Sequence, residues 1–151
     1  MEKKQILVID NSGLSYIGSD INGPILRGTE TSLILLSEEL TKKNCDVFFA
    51  NKTNQEKSVN GVHYINEKNI NKEKTYDLAI AVSNANLFNK IKSVKKAIFS
   101  VSNQSLEKFL RKRQFISTYT HKPVIVTLCD YQFKKRSFLT SPFGKLTIPI
   151  T

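Results

Sequence analysis

The sequence predicts an α/β fold, a three-layer sandwich with a mainly parallel sheet, and three observations support this class. Short, continuous apolar runs recur along the chain, as expected of strands that are buried on both faces of a parallel sheet. The pattern of the first 50 residues predicts a strand, a loop, a helix and a second strand. The chain has 151 residues, the size of one domain. We therefore expect a single domain over residues 1–151 with about six or seven strands.

The predicted strands are the apolar runs at residues 5–10, 46–50, 61–65, 78–82, 97–101 and 123–128, with a last extended piece at 145–150. We expect a surface connection at residues 52–60 and a loop or weak helix at 66–75, because both segments are polar. Helical spacing predicts further helices at residues 87–91 and 105–114, and a partly helical segment at 130–139.

The first helix is predicted from its end signals and its apolar stripe. Thr29 is placed to cap the helix, and Glu30 puts negative charge in its first turn. Leucines recur at helical spacing from Leu33 to Leu40. Asn44 is suited to the left-handed position that ends a helix.

The loop between the first strand and this helix, residues 11–28, is long and contains four glycines. Its last turn centres on Gly28 and matches neither the dinucleotide-binding pattern G-x-G-x-x-G nor the P-loop pattern. A glycine before a helix allows the backbone to approach a phosphate. The residues alone leave two interpretations open: a phosphate-binding turn, or a turn in which Gly28 only permits the bend and Glu30 only favours the helix dipole.

The chain carries a net charge of +10 and has a pI near 9.6, which favours an anionic partner. Nucleic acid, a membrane surface and a phosphorylated substrate all satisfy that requirement. The basic clusters at 111–113 and 134–136 are interpreted either as solvated surface or as contacts with anionic lipid headgroups.

The N-terminus leads into an apolar stretch too short for a secretory signal, and no apolar run is long enough to span a bilayer. We therefore expect a cytoplasmic protein, with a possible peripheral location at the inner face of the membrane. The cysteines and histidines lack metal-ligand spacing, so no metal site is expected. His63 and His121 are assigned no catalytic role, because no Ser, Cys or acid stands at a recognisable spacing from either.

Several motifs, in order, carry a resemblance to a known family. These are the turn Arg27-Gly28-Thr29-Glu30, the helix and strand over residues 35–47, the strand entry Tyr76-Asp77-Leu78 and the segment 145–149. Together they resemble the N-terminal, Rossmann-like domain of GT-B-fold retaining glycosyltransferases (group 1, family 4-like), whose turn reads Gly-Gly-x-Glu. This chain has Arg27 in place of the first glycine, and its helix ends in Asn44-Cys45 where the family commonly has Gly-His.

The resemblance implies a crevice that binds a nucleotide-diphosphate sugar as donor substrate, without a cofactor. The residues implied on the donor-phosphate side of the crevice are Arg27, Gly28, Thr29 and Glu30. Those implied on the acceptor side are Asn11, Ser12, Gly13, Ser83, Asn84, Ser102 and Asn103. No catalytic residue is assigned, and the sugar, the acceptor and the stereochemical outcome stay open.

In this family a second domain carries the E-x7-E acids and binds most of the donor. The resemblance therefore implies a C-terminal GT-B domain as partner, on the same or a separate chain, and a sugar or lipid-linked acceptor. We expect the present domain to bind weakly and to transfer little or no sugar without that partner.

Two other functions are weighed. A basic nucleic-acid-binding module would use Tyr119, Tyr131 and Phe133 beside lysines, but the chain lacks the common RNA- and DNA-binding signatures, which disfavours this function. A non-catalytic, stand-alone Rossmann domain that pairs with a separately encoded catalytic half is the second alternative.

Overall fold

The computed structural model of the chain describes residues 2–24, 26–100, 112–127 and 147–149. Within these ranges eight strands form one sheet: β1 (Lys4–Ile9), β2 (Cys45–Asn51), β3 (Lys57–Val59), β4 (Val62–Asn66), β5 (Thr75–Val82), β6 (Lys92–Ser100), β7 (Val124–Thr127) and β8 (Thr147–Pro149). The described helices are α1 (Gly28–Lys42), α2 (Lys112–His121) and three short 3₁₀ helices at Gly18–Asp20, Glu67–Asn69 and Ala85–Lys90.

The strand order is β3-β4-β2-β1-β5-β6-β7-β8, and every neighbouring pair is parallel except β3 and β4. When β3 is left out and the parallel strands are renumbered along the chain, their spatial order is 3-2-1-4-5-6-7. The first six of these strands have the order 3-2-1-4-5-6 of doubly wound, dinucleotide-binding α/β sheets. The α/β class and the mainly parallel sheet are therefore confirmed, with one antiparallel strand more than the expected number.

The additional strand, β3, corrects the expectation that residues 52–60 form only a surface connection. A two-residue turn joins β3 to β4, and its residues Asn60 and Gly61 have φ of 49° and 83°. Asn-Gly is the preferred sequence for such a turn because both positions need a positive φ. The turn signal is therefore local and lies in the sequence between Val59 and Val62.

Helix α1 covers the face of the sheet that carries Ile6 and Val8, called here the α1 face. Leu33 and Ile34 of the helix are completely buried against these strands. The helix begins at Gly28, and Arg27 is its N-cap residue. The prediction that Thr29 caps the helix is therefore wrong. Asn44, with φ of 61°, occupies the left-handed position after the helix as predicted.

The other face of the sheet, called here the opposite face, carries Leu7 and Ile9 and is covered by shorter elements. Phe88, in the 3₁₀ helix Ala85–Lys90, is buried there. Helix α2 packs on this 3₁₀ helix, and the Ser117 hydroxyl donates a 2.7 Å hydrogen bond to the Asn86 side chain. The sheet is therefore flanked by helical elements of unequal length on its two faces.

Two strands begin earlier than the apolar runs predicted. Strand β5 starts at Thr75, where polar residues alternate with apolar ones. Strand β6 starts at Lys92, and its first five residues are polar except for the exposed Val94. Most of the helix predicted at 105–114 and all of the segment 130–139 lie outside the described residues. Helix α2 extends beyond the predicted end, to His121. Among the described helices, none has both the length and the apolar character that crossing a bilayer requires.

The packing of α1 gives a stability prediction with a control in the same helix. Leu33→Ala removes a side chain with no exposed surface, and we expect it to lower the free energy of unfolding by about 2–5 kcal/mol. Leu35→Ala changes a side chain that is 49% exposed, and we expect a loss of less than about 1 kcal/mol. Urea denaturation monitored by circular dichroism measures both; equal losses would contradict the assigned helix face.

Candidate functional site

The carboxyl ends of the parallel strands meet at one edge of the sheet, and the candidate site lies there. The chain passes from β1 through α1 to β2 on one side, whereas β5, the neighbour of β1 on the other side, continues to β6. The strand order thus reverses between β1 and β5. In open α/β sheets a crevice forms outside the strands at such a reversal, and ligands bind in it.

Asp10 directly follows β1 and is only 1% exposed, so its side chain needs internal hydrogen-bond donors. Its Oδ1 accepts a 2.8 Å hydrogen bond from the Ser12 backbone N–H. Its Oδ2 accepts hydrogen bonds from the Ser12 hydroxyl at 2.9 Å and from the Tyr16 hydroxyl at 2.6 Å. These bonds hold the start of the long loop against the end of β1.

The hydrogen bonds continue from this loop to the ends of β2 and β4. The Asn51 side-chain amide donates to the Tyr16 carbonyl at 2.7 Å, and its oxygen accepts from the Thr53 N–H at 2.7 Å. The Asn66 side chain donates to the Thr53 carbonyl at 2.7 Å. Asn51 and Thr53 are buried, so these bonds are well shielded from water. The loops at three neighbouring strand ends are therefore held in fixed relative positions.

Tyr16 joins this network to the core of the α1 face. Its ring is 2% exposed and packs edge-on against Phe49, with ring centroids 5.6 Å apart. Burial raises the pKa of the Tyr16 hydroxyl far above its ordinary value, and the neighbouring Asp10 carboxylate raises it further. Tyr16 is therefore a neutral donor to Asp10 and not a proton-transfer group at neutral pH.

The predicted donor-phosphate residues lie at the start of α1, at the same edge of the sheet. A Cβ added to Gly28 would meet nothing within 4 Å, so the space beside this residue is open. Arg27 is exposed and Thr29 is half-buried. The Glu30 carboxylate is 5% exposed and accepts a 3.1 Å hydrogen bond from the Arg27 N–H, which gives it a helix-capping role.

The predicted acceptor-side residues Asn11, Ser12 and Gly13 are exposed at this edge. Gly13 has φ of 95°, a conformation that favours glycine, and the Nζ of Lys52 lies 4.0 Å from the point that a Cβ on Gly13 would occupy. The exposed Lys52 therefore brings a positive charge to the loop. Sequence reasoning missed this lysine because only the parallel pairing of β1 with β2 brings it to Gly13.

The predicted residues after β5 have defined structural roles. Ser83 has φ of 52°, and its N–H donates to the Phe99 carbonyl at 3.0 Å. The Asn84 side chain accepts a 3.1 Å hydrogen bond from the Asn86 N–H and so caps the following 3₁₀ helix. Both side chains are half-buried. The remaining acceptor-side residues, Ser102 and Asn103, lie outside the described residues, as do Arg111 of cluster 111–113 and all of cluster 134–136. Lys112 and Arg113 lie in the first turn of α2.

Away from this edge, the structure gives His63 partners that the sequence did not reveal. Its Nδ1 lies 2.7 Å from the Ser58 hydroxyl, and its Nε2 lies 3.1 Å from Oδ1 of Asp46. Ser58 and His63 face each other across the β3–β4 pair, and Asp46 lies on β2 beside them. His63 also stacks on Phe48, with ring centroids 5.2 Å apart. The three side chains tie the edge hairpin to the sheet.

No three His, Cys, Asp or Glu side chains come together as a metal-binding group in the part of the chain that the structure describes. The fold defines an α/β protein whose sheet has a polar, glycine-containing carboxyl edge. Comparison of the chain with protein-family models, with curated proteins and with solved structures gave no match.

Two buried tyrosines provide a matched test of the Asp10 network. Tyr16→Phe removes the 2.6 Å hydrogen bond to the carboxylate, and we expect it to lower the free energy of unfolding by about 1–3 kcal/mol. Tyr64→Phe removes a buried hydroxyl that has no hydrogen-bond partner among the described residues, and we expect no loss or a gain in stability. Urea denaturation of both variants measures the difference, and a reversed order would exclude the network as a stabilising element.

Stability should also fall at alkaline pH. Burial raises the pKa of Tyr16, Tyr64 and Tyr76 above the ordinary value of 10.0, so the folded chain keeps protons that the unfolded chain releases. The stabilisation is complete below pH 10 and is lost as the pH rises further. In urea denaturation over a pH series, Tyr64→Phe should reduce the slope above the ordinary tyrosine pKa by about 1.4 kcal/mol per pH unit. An unchanged slope would show that Tyr64 ionises freely in the folded state.

Proposed function

We propose that this chain is the N-terminal, acceptor-side half of a nucleotide-sugar-dependent glycosyltransferase of the GT-B type. In this function the domain is a Rossmann-like three-layer sandwich. The carboxyl edge of its sheet shapes the acceptor side of an interdomain crevice and contributes contacts to the donor phosphates. Transfer itself needs a second domain, on the same or a separate chain, and the acceptor is a sugar or a lipid-linked sugar.

The observation that carries the proposal is the strand reversal between β1 and β5, with polar loops on both of its sides. Asn11, Ser12 and Gly13 follow β1, and Ser83 and Asn84 follow β5. Hydroxyl and amide groups of this kind form hydrogen bonds to sugar hydroxyls. The fixed loop positions favour binding because little conformational freedom is lost when a ligand is bound.

The start of α1 is suited to the phosphate part of such a donor. The open space beside Gly28 allows a phosphate to approach the backbone. Gly28 begins a 15-residue helix, and the first N–H groups of a helix lack partners within the helix and carry partial positive charge. Lys52 adds a full positive charge near Gly13. This combination favours a phosphorylated ligand over a neutral one.

Nuclear magnetic resonance tests the proposal on the chain as it is. We expect titration of the isotope-labelled protein with nucleotide-diphosphate sugars to shift the backbone amides at residues 10–13, 28–30 and 83–84. The amide signals of the β3–β4 hairpin should not shift. That hairpin forms the outermost strands on one side of the sheet, away from the reversal between β1 and β5. Binding should be weak, because most of the donor contacts belong to the second domain.

Gly28→Val should suppress the amide shifts by filling the open space, while the free energy of unfolding changes little. Leu35→Val, at an exposed position of the same helix, serves as the control and should leave the shifts unchanged. Shifts that survive Gly28→Val, or that lie away from the carboxyl edge, would refute the crevice. Tight, steeply salt-dependent binding of single-stranded oligonucleotides without any response to nucleotide sugars would instead establish the nucleic-acid-binding function.

A further inference from the structure

A concave site lies on the opposite face of the sheet. It is a groove of about 370 Å³ between the β4–β5 connection and the 3₁₀ helix Ala85–Lys90. This volume falls within the range of small-molecule sites. The residues that line the groove are Ile9, Glu67, Lys68, Ile70, Lys72, Leu87, Lys90 and Ile91.

The groove exists because the connections on this face are short. Residues 67–74 join β4 to β5, and residues 83–91 join β5 to β6, each with a single 3₁₀ helix. Parallel strands are usually joined by longer crossovers that contain an α-helix and cover the sheet. Here the two connections leave a gap between them, with the buried Ile9 of β1 in its floor.

The apolar side chains among the described lining residues are aliphatic. Ile9, Ile70, Leu87 and Ile91 pack in the same core cluster on this face, and the last three are only partly buried. Bases and other planar rings are commonly bound by stacking on aromatic side chains, and none of the described lining residues is aromatic. Branched aliphatic surface favours a flexible hydrocarbon chain.

The charged part of the groove carries an excess of positive charge. Lys68, Lys72 and Lys90 line it together with one acid, Glu67. Within the described residues, none of these three lysines has an ion pair or a ring contact.

Neighbouring lysines differ from the three groove lysines. Lys74 lies 3.9 Å from the centre of the Phe48 ring, and Lys92 lies 2.7 Å from the Glu73 carboxylate. The groove lysines therefore keep charge that an external anion can neutralise.

We propose that this groove binds a single-chain anionic amphiphile, whose hydrocarbon chain lies on the isoleucine and leucine side chains and whose phosphate or carboxylate head contacts the three lysines. The residues that line the groove are different from the proposed donor and acceptor residues, so the amphiphile is a ligand separate from the nucleotide sugar. Such an amphiphile is available either as a free molecule or as a membrane lipid.

Calorimetric titration with dodecyl phosphate tests the two parts of the ligand separately. Inorganic phosphate supplies the head alone, and dodecyl maltoside supplies a chain with a neutral head. We expect dodecyl phosphate to bind at least about tenfold more tightly than either, and octyl phosphate to bind more than about tenfold less tightly than dodecyl phosphate. An affinity of dodecyl maltoside or of inorganic phosphate equal to that of dodecyl phosphate would overturn the proposal.

Charge variants locate the site. The test variant removes the groove lysines: Lys68→Gln, Lys72→Gln and Lys90→Gln. The control makes the same charge change at exposed lysines outside the groove: Lys3→Gln, Lys57→Gln and Lys95→Gln. The test variant should bind dodecyl phosphate about tenfold more weakly, and the control less than about twofold more weakly. An equal loss of affinity in both variants would show that only the net charge matters. It would overturn the assignment of the groove as the binding site.

Amine labelling read by mass spectrometry gives a result that does not depend on substitutions. Dodecyl phosphate should protect Lys68, Lys72 and Lys90 from labelling and leave Lys57 and Lys95 reactive. Protection at other lysines would refute the site.

Sedimentation with neutral and anionic phospholipid vesicles then separates the two sources of the ligand. If monomeric dodecyl phosphate binds and vesicles do not, the ligand is a free amphiphile. If both bind, the ligand is a membrane lipid. Vesicle binding without binding of the monomer would overturn the proposal.

Discussion

The arrangement of the carboxyl edge depends on one constraint, the burial of the Asp10 carboxylate at the end of β1. A carboxylate that is 1% exposed must be satisfied by nearby donors, and the chain returns from the sheet to supply them from Ser12 and Tyr16. This return places Tyr16 on the aromatic core and brings its carbonyl to Asn51. The shape of the long glycine-containing loop therefore follows from the solvation of a single charged group.

The two faces of the sheet are covered to different extents. Helix α1 and the loop before it bury a large core that contains Tyr16, Phe49 and Tyr64. On the opposite face, the connections between β4, β5 and β6 are too short to carry long helices, so the apolar cluster around Leu7 and Ile9 is thinly covered. The length of these connections, more than their composition, determines where the groove lies.

The two proposed ligand sites differ in chemistry because they arise from different structural causes. The carboxyl edge is polar, since strand ends and helix starts expose backbone groups and carry residues such as Asn11 and Ser12. The groove is aliphatic with a basic border, since it is a gap above the sheet interior bordered by polar connections. One site suits a phosphorylated, hydroxyl-rich ligand, and the other suits a hydrocarbon chain with an anionic head.

The sequence by itself determined the α/β class, the parallel strands and the course of α1, because burial on both faces of a sheet and helical periodicity leave strong local patterns. The start of β6 was not predicted, because its lysine-rich sequence resembles an exposed loop. The edge strand β3 was not predicted either, although the Asn60-Gly61 turn is a local signal for the hairpin that contains it. Only the tertiary structure decided which distant residues meet. Lys52 lies beside Gly13, Asp46 lies beside His63, and Lys90 lines the same groove as Lys68 and Lys72. In each case strand pairing, which no local pattern encodes, brings separate segments together.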